Sequence, residues 1–248
     1  MHELNPGASV ADLLAPYEIP RPHPEGRAWT MANMVAGLDG TAAVGGRVGP
    51  LSEGPDVELF RLMRAVADVV VVGAETVRRE GYGPVRLPEE RQAARVASGR
   101  TPLPPIAVVT RSLDLDWGGR LFAEASTPTF VVTCASAPPE RLARAREHTE
   151  VLVVGEESVD LGALLRELLD RGFSTVLSEG GPTLLGELAA LGLLDELCLT
   201  LTPLMGGDPL PVALTPMGGG TGTSAYRLCH TLAHDSTLFL RYERVGHE

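Results

Sequence analysis

The chain is poor in aromatic residues. Phe, Trp and Tyr make up 4% of its 248 residues, so a core must be assembled mainly from Leu, Val and Ala. Such a core suits strands buried between helices, as in α/β proteins. Cysteine is scarce as well. Cys134, Cys198 and Cys229 are odd in number and widely spaced, and no C-x-x-C pair occurs, which excludes a zinc ribbon or a thioredoxin-like motif. Reduced, buried thiols in a reducing compartment are the reading. Positive charge is in deficit, with 21 Lys and Arg against 32 Asp and Glu. A net charge of −11 excludes a broad basic face for a nucleic-acid backbone. It leaves room for a nucleotide held by a few local arginines and a helix N-terminus. Apolar runs such as Val69–Val72 are far too short to span a bilayer, and the segment containing Glu3, Pro6 and Asp12 lacks the apolar core of a signal peptide. A soluble, cytoplasmic protein without membrane or nucleic-acid partners is expected.

Several catalytic signatures are missing too. There is no G-x-S-x-G nucleophile elbow. His230 and His234 have the spacing of a helical metal site, but their segment reads as a strand, where they would stand about 13 Å apart. No metal is expected. The run Gly218–Ala225 resembles a dinucleotide fingerprint, yet it leads into a strand rather than a helix and reads as a loop.

What is present is an alternation of strand and helix signals. Residues 1–26 carry five prolines and read as an extended arm with a short helix over about Val10–Leu14. A single domain is expected over 27–248. Strands are expected at Ala28–Ala36, Asp68–Gly73, Ile106–Val109, Thr129–Thr133, Val151–Val154, Ser174–Glu179 and Glu196–Thr202. Helices are expected at Pro55–Ala67, Glu75–Glu80, Arg120–Ala125, Pro139–Glu147, Leu161–Arg171 and Pro182–Leu191. Residues 81–105 and 203–223 read as surface excursions, and two strands around the turn at His234–Ser236 close the chain. This order implies a mostly parallel sheet covered on both faces, with an antiparallel hairpin at its end.

The strongest local pattern is Val176-Leu-Ser-Glu-Gly-Gly-Pro-Thr-Leu-Leu185. A strand runs into Gly180 and Gly181, which let a ligand approach the backbone, and Pro182 then opens a helix at a position where its missing N–H costs nothing. The N–H groups of such a helix start form an anion site suited to a pyrophosphate. Glu179 leaves the strand beside it and could accept paired N–H donors from an amino-substituted ring. A tight turn with a solvated Glu is the alternative. A second junction, Val69–Val77, offers Gly73 and the Thr76 hydroxyl. Asp39, within Gly37-Leu-Asp-Gly40, is either a buried polar anchor or a turn residue.

Three groups of segments, taken together, resemble the reductase domain of riboflavin biosynthesis, which shares the dihydrofolate reductase fold. They are Met34–Gly40; Leu59–Asp68 leading into Val69–Thr76; and Leu177–Leu184 followed by Gly192–Leu197 and Pro203–Gly207. The resemblance implies a three-layer α/β/α sandwich with a mostly parallel mixed sheet, commonly a homodimer, and NADPH as cofactor. It places Val35, Gly73 and Thr76 against NADPH, with Gly180, Gly181, Pro182, Thr183 and Leu184 around its phosphates. Thr110 and Arg111 match the position where the adenosine 2′-phosphate is read. Arg64 and Arg86 match substrate-holding arginines, and Glu179 would hold the pyrimidine. Asp39 and Glu80 are candidate catalytic carboxylates. The chain departs from the family at Gly37, where Ser is usual, and over Glu80–Arg86, which is one residue shorter and lacks the usual Asn-Pro. Both departures bear on substrate identity, leaving a pterin or dihydrofolate reductase and a non-catalytic nucleotide-binding regulator as alternatives. The deaminase signature often fused to this reductase is absent.

Overall fold

The computed structural model describes residues 14–22, 24–52, 54–216 and 223–246. In chain order the strands are β1 (Trp29–Ala36), β2 (Val69–Gly73), β3 (Ile106–Val109), β4 (Phe130–Thr133), β5 (Glu150–Val153), β6 (Thr175–Ser178), β7 (Glu196–Leu201), β8 (Tyr226–His234) and β9 (Thr237–Arg244). The helices are α1 (Pro55–Val66), α2 (Ala74–Glu80), α3 (Glu89–Ala97), α4 (Arg120–Ala123), α5 (Pro139–His148), α6 (Leu161–Asp170) and α7 (Pro182–Ala190). They belong to two compact units, each assembled from separated stretches of sequence. One comprises Thr30–Met63, the chain from Gly180 onward and the segment ending at Arg21; the other comprises Pro22–Trp29 and Arg64–Glu179. The domain start expected near Arg27 falls within the Pro22–Trp29 stretch.

In the unit containing Arg64–Glu179, five parallel strands run in the order β5-β4-β3-β2-β6. Val69, Val70, Val71 and Val72 are all buried. Successive strand residues point to opposite faces, so burial of every position means that both faces are covered. Asp68 fixes the start of β6, its Oδ2 accepting from the Ser174 amide, the Ser174 hydroxyl and the Thr175 amide. Helix α6 presents Leu161, Leu164, Leu165 and Leu168 at helical spacing, and all four are buried. Asp160 caps its start by accepting from Ala163 N at 2.9 Å. Gly172, at φ +87°, ends it in a Schellman turn, with Phe173 N donating to Leu168 O and Gly172 N to Leu169 O.

The excursion expected over 81–105 contains α3 instead. Its Arg95 is almost fully buried and donates to the carbonyls of Ala65, Ala67 and Thr101, while Arg100 donates to Val66 O. Together the two arginines satisfy the orphan carbonyls at the end of α1 and complement its dipole. Burial, together with the Arg100 charge, lowers Arg95 to about 10. A charged run that reads as surface is thus a helix cap from a distance.

In the other unit the order is β1-β7-β9-β8, with β1 and β7 parallel and the rest antiparallel. Asp235 and Ser236, at φ +45° and +68°, form the two-residue turn of the β8–β9 hairpin, the sign of φ that matches strand twist. The parallel strands and this terminal hairpin agree with the mostly parallel mixed sheet expected. The arm is not free along its described part. Ala15–Tyr17 form a 3₁₀ turn, and Tyr17 and Arg21 are buried. Arg21 donates to both oxygens of Glu196, at 3.1 and 3.0 Å, and Arg241 does the same at 3.0 and 3.2 Å. A buried carboxylate on β7 therefore draws the arm onto this unit. The helix expected over 10–14, apart from Leu14, and the glycine run of 218–222 lie outside the described residues.

Candidate active site

Within the Arg64–Glu179 unit, three side chains converge. Arg64 comes from the last turn of α1, Glu179 directly follows β6, and Tyr82 follows the left-handed Gly81 that ends α2. Arg64 Nε donates to Glu179 Oε1 at 2.6 Å and its Nη2 to Oε2 at 2.7 Å, a bidentate pair. The Tyr82 hydroxyl donates to Oε2 at 2.8 Å, and the Arg64 guanidinium lies 5.7 Å from the Tyr82 ring centre. Burial opposes the Arg64 charge, but the Glu179 carboxylate outweighs it and holds Arg64 above its usual range. Burial pushes the Tyr82 phenol up, and the charge of Glu179 adds to this.

These contacts alter the roles expected for the two residues. Only 1% of the Glu179 side chain is exposed, and its oxygens are engaged by Arg64 and Tyr82, so it does not present an open carboxylate to a pyrimidine. Arg64 commits its Nε and Nη2 to Glu179. Arg86 does not join the cluster; it is exposed and pairs with Glu124, which also accepts from Arg120. Glu80 is the final residue of α2 and is partly buried. Tyr82 was not among the residues expected from motifs. Its only signal was its position between two glycines in the run that departs from the family.

At the carboxyl ends of β2 and β3 lie the remaining candidates of this unit. Gly73 closes β2 and leads into α2, whose first turn carries the half-buried Thr76. Thr110 is buried, and its hydroxyl accepts from Leu113 N at 3.0 Å, a bond that shapes the turn after β3. Arg111 is exposed and engages no other group among the described residues. The loop carrying it is held by Arg78, which donates to Asp114 O, and by Arg141, which donates to Ser112 O.

In the other unit, Gly180 at φ +84° and Gly181 lead into α7. A Cβ on Gly180 would stand 3.2 Å from Met34 Cε. Pro182 occupies the first turn, and no side chain caps the helix. The first N–H groups of an α-helix have no partner within it, so the backbone at Thr183 and Leu184 points donors outward. Thr183 is exposed, whereas the Leu184 side chain is in the core and only its backbone is available. Val35 is likewise packed within β1. The loop beyond Pro203 lies across α7, with Leu214 N donating to Pro182 O at 2.9 Å.

Asp39 is not a buried anchor. It is exposed, and its oxygens accept from Gly206 N at 2.8 Å and Thr41 N at 3.2 Å; these backbone donors hold its carboxyl below the usual range. Asp208 returns the clasp, accepting from Gly45 N and Gly46 N. Gly37 has a reason within the same loop pair. A Cβ there would stand 2.9 Å from Leu204 O, so the close approach of the two loops excludes the family's usual Ser without a shift of backbone.

Known proteins match this arrangement. Residues 28–235 fit the family model of the RibD C-terminal domain. A 2,5-diamino-6-ribosylamino-4(3H)-pyrimidinone 5′-phosphate reductase from Aquifex aeolicus is 33% identical over 172 residues, covering 67% of this chain and 70% of that protein. The enzyme of the same name from Methanothermobacter thermautotrophicus is 30% identical over 73% of this chain and 80% of its own. Among solved structures, a pyrimidine reductase-like protein from Corynebacterium diphtheriae superimposes with a TM-score of 0.80 at 28% identity, covering 89% of this chain and 93% of that one. The chain belongs to the RibD C-terminal domain family, the pyrimidine reductases of riboflavin biosynthesis.

Proposed function

We propose that this protein reduces 2,5-diamino-6-ribosylamino-4(3H)-pyrimidinone 5′-phosphate, or a close aminopyrimidine relative, with NADPH. The observation that carries the reading is the identity with reductases of that name over most of their length. The residues present suit the cofactor. On one unit, Gly180 and Gly181 leave no side chain over the uncapped start of α7, so a diphosphate can accept from the backbone at Thr183 and Leu184. Considered by itself, the Arg64–Glu179 unit offers the unpaired Arg111 guanidinium, which suits a phosphate dianion, and the Thr76 hydroxyl after Gly73. Bound there, NADPH would supply a hydride that, with one proton, would turn the ribosylamino group into a ribitylamino group.

The chain's own part is to bind, orient and provide one proton. Asp39 is a poor proton source, because its backbone donors favour the ionised form. Glu80 or a water is assigned that step. We further place the enzyme in the cytoplasm, consistent with three free cysteines, and as a homodimer. β8 is the outer strand of its unit's sheet, and its Leu228 is exposed, as an interface between copies would require. No helix among the described residues is long and apolar enough to cross a membrane.

The test is NADPH oxidation with the diaminopyrimidine phosphate and, separately, with dihydrofolate. Turnover of the first and not the second is expected; the reverse, or no turnover with either, would overturn the reading. Arg111→Ala tests the cofactor assignment. Loss of a charge-assisted bond should raise the KM for NADPH by about tenfold or more and leave that for NADH unchanged. An equal effect on both cofactors would remove Arg111 from the 2′-phosphate.

A further inference from the structure

Glu179 is enclosed, whereas Tyr82 is only partly buried. Three acceptor positions of the carboxylate are occupied, one on each oxygen by Arg64 and a second on Oε2 by the Tyr82 hydroxyl. Of the two hydrogen-bonded residues, Tyr82 is the more exposed. We propose that Tyr82 is a specificity-determining residue, its phenolic oxygen accepting an N–H from an amino-substituted heterocycle while its own proton is held on Glu179. This rests on the proposed reduction of an aminopyrimidine and names the atom that reads the ring.

The chemistry follows from the direction of one proton. A phenol both donates and accepts. Here its donation is committed to a carboxylate, which makes that bond charge-assisted and draws electron density onto the oxygen. What the oxygen then offers is acceptance alone. It welcomes an amino group and turns away a carbonyl or a bare ring nitrogen, because two acceptors face to face leave both unsatisfied. Glu179 is a positioning residue in this scheme, and Arg64 secures it from the other side while lying over the Tyr82 ring. Burial raises the phenol's affinity for its proton, so this polarity persists across neutral pH. The expectation that Glu179 holds the pyrimidine is thereby transferred one bond outward.

The test compares the diamino substrate with an analogue in which one exocyclic amino group is replaced by oxo, using wild type, Tyr82→Phe, Glu179→Gln and the double variant. Wild type should prefer the diamino compound. Tyr82→Phe should raise its KM about tenfold, the value of one hydrogen bond, with kcat within about twofold, and should shrink the amino-over-oxo preference. NADPH affinity, by calorimetry, should not change. Because both residues act through one oxygen, the double variant should be no worse than the poorer single variant. If wild type turns over neither compound, the functional reading fails. If wild type turns over the diamino compound and Tyr82→Phe keeps both its KM and the preference, Tyr82 has no such role. A Tyr82→Phe protein that melts early and loses activity on both compounds equally would show a structural role only, and would also overturn the proposal.

Discussion

Glu196→Ala should cost about 3–5 kcal/mol of folding stability, a large part of the roughly 5–15 kcal/mol that a typical domain possesses. The reason is what it leaves behind. Arg21 and Arg241 each have 3% of their side chains exposed, and both take Glu196 as a bidentate partner. Arg241 retains Glu243, but Arg21 would retain only the backbone carbonyls of Tyr17 and Ile19. The pH dependence has a definite sign. Burial pushes the Glu196 carboxyl up, but the hydrogen bonds and charges of the two arginines outweigh it and hold it below its ordinary value of 4.5. A group depressed in the folded state contributes fully above its unfolded value, and that contribution disappears as pH falls through the folded one. Urea midpoints of wild type and Glu196→Ala should therefore differ by a constant amount at neutral pH and converge in acid below 4.5. Superimposable curves at pH 7 would mean that the triad adds nothing.

Gly186→Ala should be damaging for a different reason. Its Cβ would lie 1.7 Å from Leu214 O and 2.7 Å from Leu214 C, both backbone atoms that no rotamer change can move. Relief requires the 203–216 loop to lift from α7, which gives up the bond from Leu214 N to Pro182 O. Overpacking alone costs about 1–3 kcal/mol. Displacement of the loop beside the first turn should also lower NADPH affinity about tenfold or more, by the measure that one such bond sets. Calorimetric titration and thermal melting read the two effects separately. Unchanged NADPH affinity in a folded Gly186→Ala protein would remove α7 from the proposed diphosphate site.

Strands and helices with strong periodicity were legible in the sequence. The valines of β2, the leucines of α6 and the glycine-marked turn into α7 each follow from local chemistry that no tertiary contact overrides. The misses share a cause. Arg95 and Arg21 look like solvated charges because nothing near them in sequence names their partners, which are the carbonyls at the end of α1 and a carboxylate on β7. Asp39 shows the opposite error. Its Asp-Gly pair already favoured a turn, and the structure uses it as a loop clasp through Gly206, far along the chain. The motifs name both members of the Arg64–Glu179 pair but turn each toward the substrate, since spacing cannot reveal that two charges satisfy one another. Tyr82 lay hidden for a related reason: family patterns point to what is shared, and this residue stands where the chain differs.

The interleaving of the two units also orders events at the ribosome. Thr30 N donates to the carboxylate of Asp195, 165 positions further along the chain, and β1 finds its parallel neighbour β7 at the same remove. The chain up to Glu179 already contains every strand of β5-β4-β3-β2-β6, whereas β7, the parallel neighbour of β1 within its own unit, is made only afterwards. Arg21 must wait for Glu196 and then for Arg241, both on strands made after Glu179. Vectorial synthesis thus favours the inserted half first, and the outer half, with its late closure of a long loop, is the step on which folding of the whole chain waits.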